Sequence, residues 1–91
     1  MVRAIWKFQL GVLDEQIVFM PEGAEILHLQ VQRDVPCVWA IVDPDARQEP
    51  RKFWTIVTGD IPDDRSLATH IGSYQLEGGS FVAHVFEAPR A

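Results

Sequence analysis

The sequence predicts a single all-β domain, or a β-rich one with one short helical turn. The expected form is an antiparallel meander of six to seven strands, closed into a curled sheet or a small barrel or sandwich. Three observations predict it. Apolar and polar residues alternate with a period of two, β-branched and aromatic residues concentrate in those stretches, and Gly, Pro and Asp clusters interrupt them at short intervals. With 91 residues the chain makes one domain, residues 1–91. A domain of that size buries about 60–65% of its unfolded surface, and its 47% apolar content supports the core this requires.

From Arg3 to Leu10, Trp6, Phe8 and Leu10 fall on one face and Ile5, Lys7 and Gln9 on the other, which is a first strand. After a turn at Gly11–Glu15, Gln16–Met20 forms a second, stopped by Pro21-Glu22-Gly23. Between Glu25 and Gln32, Leu27, Leu29 and Val31 alternate with Ile26, His28, Gln30 and Gln32, giving a third, half-buried strand. Arg33-Asp34 is a hairpin connection, and Pro36 is tolerated at the start of the fourth strand, Cys37–Val42.

The segment 43–50, with two prolines and several charges, reads as an exposed loop. Arg51–Thr58 alternates again as a fifth strand, and Gly59–Asp64 breaks it. Asp63 or Asp64 can cap one or two helical turns through Ala68. A sixth strand over His70–Leu76, a turn at Glu77-Gly78-Gly79-Ser80 and a seventh strand over Phe81–Glu87 complete the chain.

The fourth strand, Cys-Val-Trp-Ala-Ile-Val, does not alternate, and a continuous apolar strand has both faces covered. The expected helix is too short to cover it. Either long side chains fold over this strand or a second copy packs on it, and the second, a homo-oligomer, is the expected arrangement.

A net charge of −5, from 8 basic and 13 acidic residues, opposes general nucleic-acid binding, which depends on phosphate neutralisation. The one cysteine, Cys37, excludes an internal disulfide and a multi-cysteine zinc site and fits a reducing compartment. No apolar stretch approaches the roughly twenty residues of a membrane span. A soluble intracellular protein is expected, with no membrane contact.

Catalytic signals are weak. Ser66, Ser73, Ser80 and Cys37 lack a nucleophile motif, and His28, His70 and His84 have no metal-ligand spacing, although three imidazoles could meet across strands. The Asp60, Asp63, Asp64 loop reads as a solvated turn. No metal, cofactor or catalytic residue is assigned, and a non-enzymatic protein is expected. One constellation suits a ligand: Trp39 and Trp54, on strands taken as hairpin neighbours, beside Arg47 and Arg51, with Arg65 as a further cation. Aromatic faces beside guanidinium forks match a stacked ring carrying phosphate.

Several segments resemble a family of short, functionally unassigned proteins of tailed bacteriophages and prophages. They are Ile5-Trp6-Lys7-Phe8, residues 20–24, Val31-Gln32, residues 36–44, Thr58-Gly59, residues 72–76, and Gly78-Gly79 through residues 84–87. That family often has a histidine after the Thr-Gly pair, where this chain has Asp60. The resemblance implies phage origin and a host bacterial cytoplasm, and no activity. Sequestration of a nucleotide immune signal between protomers is then the leading expectation. Docking of a host or virion protein through residues 37–42 is the alternative, and a small hydrolase or metal enzyme the third.

Overall fold

The computed structural model describes residues 2–60 and 68–90. Among the described residues seven strands form: β1 (Ala4–Gln9), β2 (Glu15–Pro21), β3 (Glu25–Gln32), β4 (Val35–Val42), β5 (Gln48–Val57), β6 (Thr69–Leu76) and β7 (Phe81–Glu87). A single 3-10 turn over Glu77–Gly79 joins the last two. The helical turn expected from Asp63 or Asp64 falls on residues outside those described.

The antiparallel all-β class is as the sequence predicts, but the strand order departs from a meander. One sheet has the order β1-β4-β3 and the other β2-β5-β7-β6, all pairs antiparallel. Only the β3–β4 and β6–β7 connections join sheet neighbours, and the chain crosses between sheets three times. An up-and-down sheet would leave one face of apolar β4 in water. The observed order instead gives β4 the centre of its sheet.

Side-chain parity shows how the sheets meet. Val38, Ala40 and Val42 of β4, with Leu29 of β3, enter one core with Met20, Phe53, Tyr74, Ala83 and Val85 of the four-stranded sheet. The sheets therefore pack face to face as a two-layer sandwich, about 10 Å apart. The two sheets approach closely at β3 and β6: a Cβ on Gly72 would sit 3.2–3.3 Å from Leu29 side-chain atoms, so any larger residue there needs Leu29 to shift. In the β3–β4 hairpin Arg33 and Asp34 both have positive φ, 52° and 66°, the pairing that a two-residue turn matched to strand twist requires.

The outward side of β4 is covered from within the chain. Cys37, 1% exposed, lies between Gln9 of β1 and Gln30 of β3 in register. The Lys7 Nζ atom of β1 donates to Gln32 Oε1 of β3 at 2.7 Å, spanning β4. Trp39 and Ile41 are half-buried beside them. Long flanking side chains thus supply part of the cover this face of β4 requires. Among the described residues no helix is long and apolar enough to cross a membrane.

Candidate functional site

Among the described residues, those expected to bind a phosphorylated ligand are not brought together. Trp39 and Trp54 are not hairpin neighbours, because β4 and β5 belong to different sheets. In β4 the even positions face the core, so Trp39 points out of the three-stranded sheet. In β5 the core takes Phe53 and Thr55, so Trp54 points out of the four-stranded one. The two rings lie on opposite outer faces with both sheets between them.

Arg51 is committed to the fold. It is 3% exposed, its Nε and Nη2 atoms both donate to the Glu87 carboxylate, and Nη1 donates to the Ala24 carbonyl at 2.8 Å. A guanidinium fork held by a carboxylate on a neighbouring strand locks β5 to β7 and to the β2–β3 turn, and presents nothing to a ligand.

Arg47 is exposed in the β4–β5 connection, where its Nε donates to Glu22 Oε2 at 2.7 Å. That hydrogen bond, then the Glu22 charge, pushes its pKa further above the ordinary arginine value. Seven positions along β5 separate Arg47 from Trp54, about 23 Å of extended chain. Arg65 lies outside the described residues.

The histidines do not converge. His28 sits on the outer side of the three-stranded sheet, while His70 and His84 are on the other sheet. Among the described residues no three His, Cys, Asp or Glu side chains are placed to hold a metal ion. The closest approach to catalytic geometry is His84, whose Nδ1 meets Ser73 Oγ and whose Nε2 meets Thr58 Oγ1, each at 2.7 Å. Both ring nitrogens are occupied by hydroxyls, so neither meets the orienting carboxylate that a nucleophile triad uses.

A surface that sequence reading missed does assemble. On the outer face of the four-stranded sheet, register places Glu15, Trp54, Phe86 and His70 in one row across β2, β5, β7 and β6. Trp54 Nε1 donates to Glu15 Oε1 at 2.8 Å, and the His70 and Phe86 ring centroids are 5.1 Å apart. Beside this row, Ile17 pairs with Lys52 and Phe19 with Pro50. Ile17 is 55% and Phe19 60% exposed.

The signal was present in β2, where Ile17-Val18-Phe19-Met20-Pro21 is as continuously apolar as β4. Val18 and Met20 go inward, and Ile17 and Phe19 are left outside on a strand at the sheet's edge.

Comparison with known proteins gives a family without an activity. No curated protein and no solved structure matches the chain. Over residues 1–91 the sequence matches the family described as a domain of unknown function, DUF7352, and the chain belongs to that family.

Proposed function

We propose that this chain is a non-catalytic interaction module that docks another polypeptide on the outer face of its four-stranded sheet, along β2. The observation that carries this reading is the exposure of Ile17 and Phe19 on an edge strand, continuous with half-buried Trp54 and Phe86. Exposed apolar side chains clustered on one face favour association, and an edge strand adds main-chain groups that a second polypeptide can pair.

Strand 37–42, the docking element expected from the sequence, is a weaker choice because its apolar residues are spent on the core and on intra-chain cover. The resemblance to phage and prophage proteins supports a host or virion protein in an infected bacterial cytoplasm as the setting. Nucleotide sequestration retains only Trp54 of its described residues on this face.

Affinity capture with purified protein from native-cell extract tests the reading. A specific partner should be retained by the wild type and by Trp39→Ala, and lost with Phe19→Asp. A partner lost with Trp39→Ala but kept with Phe19→Asp would move the site to the other sheet. Tight binding of a nucleotide in calorimetry, abolished by Trp54→Ala, would replace docking by ligand capture.

A further inference from the structure

Four strands lie at sheet edges: β1 and β3 in one sheet, β2 and β6 in the other. They are not equally open. β3 and β6 approach one another where Leu29 meets Gly72, and both carry a bulge, between Ile26 and His28 and between His70 and Gly72. β1 carries Lys7 among its outward residues, a charge that discourages edge pairing. β2 has an unbroken register and, between Glu15 and Pro21, neither a bulge nor a basic residue.

Backbone parity tells which groups β2 leaves unpaired. Thr55 N–H donates to the Asp14 carbonyl at 3.0 Å and Glu22 N–H to the Arg47 carbonyl at 2.7 Å, in the same register as the β2–β5 ladder. Antiparallel pairs alternate between bonded and non-bonded, so Gln16, Val18 and Met20 bond β5. The N–H and C=O groups of Glu15, Ile17 and Phe19 then point away from the sheet. Pro21 fits this parity, since its missing N–H would also point outward. The residues with outward backbone groups are thus the ones whose side chains lie on the exposed face.

From this geometry we infer that β2 pairs antiparallel with β2 of a second copy about a two-fold axis at Ile17, joining two four-stranded sheets into one of eight. The inference rests on the docking reading above and names its partner. An antiparallel strand is its own complement about a two-fold. Centred on Ile17, the axis sets Ile17 against its mate and Glu15 against Phe19, so Glu15, Ile17 and Phe19 of both copies exchange about six main-chain hydrogen bonds.

Charge selects this register. A shift that centred the axis on Val18 would oppose Asp14 to Glu22 of the other copy and set the Glu15 carbonyl against Pro21, which has no N–H to give it. On the outer face beside the axis the ionised pair is Glu15 and Lys52, 3.9 Å apart, one of each sign. The face is locally neutral although the chain carries −5. Each exposed Phe19 would lie next to the other copy's Glu15 and Trp54 row.

Sedimentation equilibrium of the purified full chain, with three single variants, tests the inference. The wild type should approach twice the monomer mass at submillimolar concentration. Ile17→Pro removes an N–H that β5 does not use, so it should stay folded by circular dichroism and sediment as a monomer. Phe19→Lys should also be monomeric, while Ile5→Lys, on β1, should remain dimeric. A wild type that is monomeric throughout, or a dimer indifferent to Ile17→Pro and Phe19→Lys, overturns the inference. A monomeric wild type that still loses a captured protein on Phe19→Asp would leave the docking reading standing with a different partner.

Discussion

Strand β4 and the run Ile17–Pro21 of β2 are both continuously apolar, and they meet opposite fates. β4 is central in its sheet: Val38, Ala40 and Val42 are at most 1% exposed, and Cys37 is sealed on the other side by residues of β1 and β3. β2 is an edge strand. Its Val18 and Met20 pack inward beside Arg51, while Ile17 and Phe19 face solvent. Apolar content therefore does not identify an interaction strand in this chain. Position in the sheet does, because a central strand borrows cover from two neighbours and an edge strand from one.

The widest separation between the two strands comes from placing the same charge on each. Val38→Asp buries an unpaired carboxylate in the core and should cost at least about 4 kcal/mol in urea unfolding. Ile17→Asp should leave monomer stability within about 0.5 kcal/mol. Comparable losses would erase the contrast.

The inward side of β2 is the next place to press. Arg51, the β5 partner of Val18, ties Glu87 and Ala24 beneath it. Arg51→Ala leaves the Glu87 carboxylate partly buried without its cation and should cost about 3–5 kcal/mol by denaturant titration. An Arg51→Met, Glu87→Leu double variant should recover much of that loss. A single-variant cost below about 1 kcal/mol, the range of an exposed pair, would mean that the fork is not anchoring β2.

Smaller effects sharpen the packing between the sheets. Gly72→Ala drives a methyl group against Leu29 and should cost about 1–3 kcal/mol, read as a lowered thermal midpoint. Tyr74 is buried with no hydrogen-bond partner for its hydroxyl among the described residues, and burial pushes its phenol pKa up. The folded state then holds the phenolic proton more tightly than the unfolded chain. The Tyr74 contribution is intact below the unfolded value, about pH 10, and is lost as pH rises from there toward the folded value. Tyr74→Phe should change stability at neutral pH by no more than about 1 kcal/mol and flatten the alkaline decline, followed by fluorescence-detected unfolding against pH.

Much of the fold was legible in the sequence. The third and seventh strands fall at their expected boundaries, and Arg33-Asp34 makes the expected hairpin, since alternation and turn chemistry are local signals. Sheet order was not legible, because nothing local distinguishes a strand that pairs with its sequence neighbour from one that crosses to the other layer. That ambiguity produced the false pairing of Trp39 with Trp54. Arg51 was misread for a related reason: an arginine in an alternating strand looks solvated until its partner, Glu87, is known to lie on the adjacent strand. For β2, an apolar run bounded by Asp14-Glu15 and Pro21 carried the signal of an uncovered face, but only the edge position turned it into a surface.

Residue-resolved hydrogen exchange on the wild-type chain across a dilution series tests the contrast most directly. The β4 amides and those of Gln16, Val18 and Met20 should be protected at every concentration. The amides of Glu15, Ile17 and Phe19 should be protected at high concentration and exchange freely on dilution. Protection of Ile17 and Phe19 that persists at the lowest concentration, or is absent at the highest, would contradict the assignment of β2 as the edge on which this protein associates.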